Sequence, residues 1–300
     1  MRNKTKKYLL RHQLTRSKPT ILLIGATGAI GRWIAEEALF LEARLILGVR
    51  DIRRGKDLIQ TLKEKKQDIE AELAEIDLRS LSSVYRLARE LETVKIDYVI
   101  INSGVSNPMV REDSDGIEEH FMVNFYAPYR LIRQMHRQDK EICFIVTGSV
   151  CYKQLKTNPE DLFLKEYQHT KDLYSHSKRI LMQMMIILKR DYGYDIRLAH
   201  PGITYTELFY QRNRRGILKP FLPLVRRILI SNERAALNIL YALNTPTDWR
   251  VWIGPRGLFE IFGYPGVRRL KRELLNDMEL EPLKYKIEEL DKIMEVKYGF

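Results

Sequence analysis

Two tyrosine–lysine pairs stand four residues apart in this chain, Tyr152 with Lys156 and Tyr174 with Lys178. On a helix that spacing stacks both side chains on one face. A phenol titrates near ~10 in water, and a neighbouring ammonium favours the phenolate and lowers that value. Such a pair could exchange a proton with an alcohol or carbonyl oxygen near neutral pH. The spacing does not choose between the two pairs, but their surroundings do. Tyr152 comes just after a strand-like run, and Asn158-Pro159 soon interrupts the next segment, a poor helical context. Tyr174 opens a run, Arg179 to Lys189, of strong helix formers with a broad apolar surface. A strand-like run and His200-Pro201-Gly202 come after it. Context selects Tyr174 and Lys178. Ser149, at the end of another apolar run, could hydrogen-bond the substrate oxygen as charge develops on it.

The elements that must position these residues alternate between short β-rich runs and longer helical segments. The runs Thr20–Ile24, Arg44–Val49, Glu70–Ile76, Asp97–Ile101, Ile142–Thr147 and Asp195–His200 read as strands. Ile30–Leu41, Gly55–Lys66, Leu81–Glu92, Gly116–Arg137 and Leu173–Tyr192 read as helices. This alternation predicts right-handed βαβ units and a single parallel sheet with helices on both faces, a doubly wound α/β fold of Rossmann type. Near-continuous apolar runs such as Ile21-Leu22-Leu23-Ile24 fit strands covered on both sides. Further on, Glu233–Leu243 reads as a helix and Arg250–Ile253 as a short strand. Arg268 to Lys297 reads as helical, with Leu283, Ile287, Leu290 and Met294 on one stripe. The chain thus divides into a basic tail (1–18), a catalytic domain (19–255) with a greasy, arginine-rich lid at about 205–232, and a helical extension (256–300).

The first strand runs into Gly25-Ala26-Thr27-Gly28-Ala29-Ile30-Gly31 and then a helix. Glycines there let the backbone approach a pyrophosphate seated on the helix N-terminus. The second strand ends in Val49-Arg50-Asp51, with Arg53 and Arg54 close behind. A guanidinium at that point suits the 2′-phosphate of NADP(H), whereas an acid would take the ribose hydroxyl of NAD(H). Arg50 comes first, so NADP(H) is expected, with Asp51 on the ribose as the alternative. Asp77, followed by Leu78, could accept from an adenine amino group. Asn102-Ser103-Gly104 leaves room beside the cofactor, and Lys178 could bond the nicotinamide ribose.

Together these motifs resemble the short-chain dehydrogenase/reductase family over residues 20 to about 255. Tyr174-Ser175-His176-Ser177-Lys178 and His200-Pro201-Gly202-Ile203-Thr204-Tyr205-Thr206-Glu207-Leu208 are most similar to its retinol-dehydrogenase-like branch, which also tolerates the long interval between Ser149 and Tyr174. The resemblance implies Asn124 as a fourth active-site member, holding a water that extends a proton relay from Lys178. It implies that Pro201, Gly202, Ile203 and Thr206 border the nicotinamide, and that copies pair through the tyrosine-bearing helix into a homo-oligomer. Two departures stand out. Ala29 replaces a usual glycine, leaving Gly25, Gly28 and Gly31 in the spacing of the extended and atypical branches, and the Asn-Asn-Ala-Gly stretch is reduced to Ile101-Asn102-Ser103-Gly104.

The 300 residues carry a net charge of +12. Residues 1–18 hold seven Lys/Arg and no acid, and a second basic cluster spans Arg212 to Arg227. Such clusters can attract nucleic acid, anionic lipid or an anionic cofactor, with solvated charge on a frayed tail as the plain alternative; no zinc-finger spacing or RNA-binding aromatic signature points to nucleic acid. Two cysteines suit a reducing compartment, and no apolar signal core follows the basic tail, so a cytoplasmic protein is expected. The apolar, cationic stretch 217–230 reads as a lid over a hydrophobic pocket, with interfacial membrane contact as the sharper alternative. The expected function is an NADP(H)-dependent carbonyl reductase or alcohol dehydrogenase for a bulky apolar substrate. The competing readings are a non-catalytic nicotinamide-binding scaffold and an extended-type nucleotide-sugar epimerase or dehydratase. His176 points about 200° around its helix from Tyr174, at ~100° per residue, and is expected to pack rather than catalyse.

Overall fold

The computed structural model describes residues 18–106, 112, 117–163, 165, 169–204 and 230–298. Its frame is one eight-stranded sheet in the order β3-β2-β1-β4-β5-β6-β7-β8. The strands are β1 (Thr20–Ile24), β2 (Arg44–Val49), β3 (Ala71–Glu75), β4 (Tyr98–Ile101), β5 (Cys143–Thr147), β6 (Ile196–Ala199), β7 (Val251–Pro255) and β8 (Pro265–Arg269). All pair in parallel except β8, which lies antiparallel on β7. The chain reverses direction across the sheet between β3 and β4, and β1 and β4 lie side by side at its centre. In such a sheet the crevice beyond the strand carboxyl ends at this switch point is where ligands bind.

Helices α1 (Gly31–Ala38), α2 (Ile52–Lys65) and α3 (Leu81–Glu90) connect the first strands. Each of α2 and α3 starts where a short polar side chain caps it: Asp51 accepts from the Arg54 N–H, and Ser80 from the Ser83 N–H. The next helix, α4, spans 119–138. With α5 (Thr170–Tyr192), α6 (Asn232–Leu240) and α7 (Asp277–Tyr298), it buries its apolar residues in the layers that cover the sheet. The near-continuous strands are buried on both faces. Leu22 and Ile24 point into one core layer with α3, α4, α5 and α7, while Ile21 and Leu23 point into the other with α1, α2 and α6.

Three readings of the sequence need correction. Arg268 to Lys297 is not one helix: β8 occupies Pro265–Arg269, a 3-10 turn follows at Arg272–Leu275, and α7 begins only at Asp277. The helix read at Gly116–Arg137 starts at Glu119 and changes winding, since Met122–Tyr126 is π-helical between α-helical ends at Glu119–Phe121 and Ala127–Gln138. The helix read from Gly55 starts at Ile52, because the Asp51 cap precedes it. Within 256–298, one face of α7 joins the core. Leu280, Leu283, Ile287, Leu290 and Met294 of α7 are buried in the layer that holds α4 and α5. The face of α5 turned toward α7 is therefore taken up within the chain, by pairs such as Arg179 with Glu279 (2.7 Å). The lid and Thr206 lie outside the described residues. Among the described residues no helix is long and apolar enough to cross a membrane.

Candidate active site

The strand ends that meet at the switch point carry the motifs. At the end of β1, Gly25 adopts φ +86°, a left-handed conformation that glycine takes without strain. Its carbonyl accepts from the Gly28 N–H. A Cβ on Gly31 would lie 2.1 Å from that same carbonyl, so a side chain there would push α1 away from the turn. Ile30, at the N-cap of α1, offers no side-chain acceptor to the first-turn N–H groups. An anion is the partner that a turn and an uncapped helix start of this kind fit.

Two cavities open from this turn. The first, of ≈ 410 Å³, runs along the ends of β1, β2 and β3 and is lined by Gly25, Thr27, Gly28, Arg50, Asp51, Arg54, Asp77, Leu78 and Arg79. The second, of ≈ 340 Å³, lies over β5 and β6 and is lined by Ile30, Ser149, Cys151, Gln154, Tyr174, Lys178, His200 and Pro201 to Thr204. Asn102, Ser103 and Gly104 line both, so the two join into one elongated groove. Its shape, with a glycine turn midway and a cationic far end, fits an extended dinucleotide. Ala29 lines neither cavity.

At the first end Arg50 is exposed beside the ends of β2 and β3. Asp51 lines the cavity too, with its Oδ1 capping α2 at 3.1 Å from the Arg54 N–H. Arg54 reaches across to the Thr27 carbonyl at 3.2 Å. Asp77 grips Arg79 with both oxygens, at 2.6–3.1 Å. Burial pushes the Asp77 carboxyl up, yet the Arg79 hydrogen bonds and charge outweigh it and hold it below the ordinary range. Sequence motifs stop at Asp77-Leu78 and do not reach Arg79. An arginine two residues past an acid that could grip it is the signal that points to it.

At the second end Tyr174 and Lys178 share one face of α5 and both line the cavity. Lys178 is 3% exposed, and its Nζ donates to the Thr147 carbonyl at 3.1 Å. Burial pushes its ammonium down to about 8, opposed by the nearby Cys151. Ser149 caps a short 3-10 turn, and its Oγ accepts from the Cys151 N–H at 3.2 Å. Its own hydroxyl hydrogen remains available to a ligand. Asn124 does not line the cavity. Fully buried, it stands behind Gly104, where its Oδ1 accepts from the Val105 N–H at 2.7 Å and its Nδ2 donates to Ser177 Oγ at 3.1 Å. Gly202 adopts φ +88° as the chain turns from β6 over the cavity, and the Ile203 N–H is tied to the Ile261 carbonyl at 3.2 Å.

The rival tyrosine is not among the residues that line this cavity. Tyr152 is buried against Trp252, its ring edge-on at 5.6 Å, and its hydroxyl accepts from the Lys271 N–H. Burial pushes that phenol up to about 12. His176 faces away from the cavity, where its Nε2 accepts from the Asn158 N–H at 3.1 Å, and burial pushes it down to about 4. Nothing in the sequence singles out Gln154, or gives Cys151 a role. Both line the cavity because the 3-10 turn after Ser149 curls back toward α5.

Residues 21–252 match the model of the NAD dependent epimerase/dehydratase family. Retinol dehydrogenase 14 of Mus musculus is 30% identical over 207 residues, covering 63% of this chain and 62% of that protein, so the likeness spans less than two thirds of the relative. Among solved structures, an uncharacterized protein from Mycobacterium Paratuberculosis superimposes with a TM-score of 0.74 at 24% identity, covering 92% of this chain and 94% of that one. A short-chain dehydrogenase from Sphingobium yanoikuyae in complex with NADPH gives 0.57 at 21% identity, over 74% and 83% of the two chains. These two share the fold. From the family match across most of its length, the chain belongs to the NAD dependent epimerase/dehydratase family, and so to the short-chain dehydrogenases/reductases.

Proposed function

We propose that the protein is an NADP(H)-dependent oxidoreductase that interconverts a bulky apolar alcohol and its carbonyl compound, with Tyr174 as proton donor and acceptor. The observation that carries this reading is the convergence of Ser149, Tyr174 and Lys178 on the second cavity, which joins the glycine turn through Asn102 to Gly104. When bound, the nicotinamide supplies or takes up the hydride. Gly25, Thr27, Gly28 and the start of α1 would hold the pyrophosphate, and Lys178 the nicotinamide ribose. Pro201 to Ile203, with Thr206, would border the ring.

In the reducing direction the Ser149 hydroxyl donates to the substrate carbonyl oxygen, and Tyr174 gives that oxygen its proton. The Lys178 ammonium favours the phenolate that remains. Asn124 supports the relay from behind Gly104. In the oxidising direction the same atoms work in reverse. Arg50, exposed where β2 ends, supports NADP(H), while Asp51, the residue that would select NAD(H), holds one oxygen in the α2 cap. A greasy substrate accords with the apolar lid sequence and with the mouse relative's name. Leu258, Phe259, Phe262 and Tyr264 are exposed on the β7–β8 hairpin beside the cavity wall, with exposed Arg256, and would serve peripheral contact of a cytoplasmic enzyme with a membrane.

The test is a panel of aldehydes and ketones with NADPH and NADH, run on wild type and Tyr174→Phe. Turnover by wild type and its loss in the variant, with cofactor binding retained, is the expected result. Equal turnover by the two proteins refutes the mechanism. The matched family model also favours a second reading, a nucleotide-sugar epimerase or dehydratase using the same tyrosine. Conversion of a nucleotide sugar without net consumption of cofactor would select it.

A further inference from the structure

Helix α4 changes winding where it passes the site. Asn124 sits in the middle of the π-helical stretch Met122–Tyr126. Four residues on, Pro128 has no N–H to give the Asn124 carbonyl, and the Ala127 N–H reaches back five residues to the Met122 carbonyl. A π segment holds an extra residue in its turn and resets which side chains face which way. Here Asn124 faces Gly104 and the active site, while Tyr126 and Tyr129 face α7.

Both of those tyrosines end on one carboxylate. Asp291, 5% exposed in α7, accepts from Tyr126 Oη at 2.9 Å through Oδ1 and from Tyr129 Oη at 2.8 Å through Oδ2. The same two oxygens meet Arg130 at 2.7 Å and Arg133 at 2.8 Å. Glu295, one turn on in α7, takes the other side of Arg130 at 2.9 Å. Burial first, then the Asp291 charge, raises both phenols above the ordinary range, so they remain donors. The last residue of the π segment is therefore clamped to the C-terminal helix.

On the other side of α4, Asn124 ties three elements. Its carboxamide bonds both the N–H and the C=O of Val105, and Ser177, the neighbour of Lys178. A Cβ on Gly104 would lie 3.3 Å from Asn124 Oδ1 and 3.5 Å from Lys178 Nζ. Any slip in the π register moves Asn124, and with it the 102–105 loop that closes over the ammonium.

We infer that Asp291 is a positioning residue for the active site: through Tyr126 and Tyr129 it fixes the register of the π segment that presents Asn124. It touches no reacting atom. The inference rests on the Tyr174/Lys178 site proposed above. The plain alternative is an ion cluster that stabilises the fold and nothing more. Glu295→Gln separates the two, because it loosens the same α4–α7 contact through Arg130 without touching either tyrosine.

The experiment compares full-length wild type with Asp291→Asn, Tyr126→Phe and Glu295→Gln, measuring kcat, cofactor Kd, Tm and hydrogen–deuterium exchange over residues 119–128. Tyr126→Phe and Asp291→Asn are expected to lower kcat by at least about tenfold, within the roughly hundredfold that a 1 Å misplacement of an active-site group can cost. Exchange over 119–128 should speed up in both, and cofactor Kd should rise less than kcat falls, because the 102–104 loop borders the groove while the glycine turn is not tied to the clamp. Glu295→Gln should keep wild-type kcat and exchange even where its Tm falls. A kcat loss that merely tracks Tm across all three variants overturns the inference, as does a Tyr126→Phe protein with wild-type kcat and exchange. Tyr126→Phe carries the test if Asp291→Asn does not fold. If wild type turns over no carbonyl compound, the site reading fails separately. Exchange then still decides the clamp, and equal exchange in Asp291→Asn and Glu295→Gln sinks it.

Discussion

Replacing Lys178 by methionine should abolish turnover and yet stabilise the protein at neutral pH. The unfolded chain binds the Lys178 proton up to about 10.5, while the folded chain holds it only to about 8, because burial penalises the charge. At about 1.4 kcal/mol per tenfold change in acidity, keeping this ammonium in the fold costs roughly 3 kcal/mol below pH 8. Methionine has similar length and no charge, so the cost disappears. Against this, the Thr147 carbonyl loses its donor, a loss of about 1 kcal/mol. The net gain is about 2 kcal/mol at pH 7, or a Tm higher by about 4 °C in a chain of this size. Between pH 8 and 10.5 the unfolded wild-type chain binds more protons than the folded one, so wild-type stability from this group rises with pH. The advantage of Lys178→Met must therefore shrink over that interval and turn into a small deficit above it. Urea denaturation of both proteins at several values between pH 7 and pH 10, beside a turnover assay, measures each part. A variant less stable than wild type at pH 7, or a difference that stays flat with pH, refutes the reasoning.

Tyr152→Phe should cost about 1 kcal/mol through the lost hydrogen bond to Lys271 and leave kcat intact; a denaturation curve and an activity assay check it, and a dead but folded variant would reverse the choice of tyrosine. Gly31→Ala places a carbon 2.1 Å from the Gly25 carbonyl, so cofactor affinity should fall by at least about tenfold, as expected when the phosphate turn is displaced; unchanged titration of NADPH fluorescence would count against the cradle. Arg50→Ala should weaken NADPH by about tenfold, the loss of one charge-assisted contact, and leave NADH alone. Equal losses for both cofactors would remove Arg50 from the specificity determinants.

The sheet and its order of motifs were legible because strands buried on both faces must be continuously apolar, as Ile21 to Ile24 are. The helical setting of Tyr174, and the lack of one at Tyr152, was legible because only one of them sits in a sequence able to extend a helix. Less was visible where packing overrides local pattern. Pro-Gly-Val-Arg-Arg at 265–269 has no alternation and becomes a strand because the edge of β7 offers it a ladder. Pro128 lies well inside the helix read at Gly116–Arg137, and its missing N–H was a local signal for a break in winding that the helix reading did not use. The Asp77–Arg79 grip and the Asp291 cluster depend on side chains meeting across the fold, the latter over more than 150 residues of sequence, and no spacing rule reaches that far.

The clamp from α7 also bears on the order in which the molecule becomes competent. During synthesis the glycine turn, the tyrosine helix and every parallel strand leave the ribosome before Asp277. Until the 22 residues of α7 emerge, Tyr126, Tyr129, Arg130 and Arg133 lack the Asp291 acceptor, and the apolar faces of α4 and α5 lack their cover. A nascent chain in that state exposes hydrophobic surface of the kind chaperones hold. A message truncated before α7 would be expected to yield a chain with the proposed catalytic side chains and no settled place for Asn124.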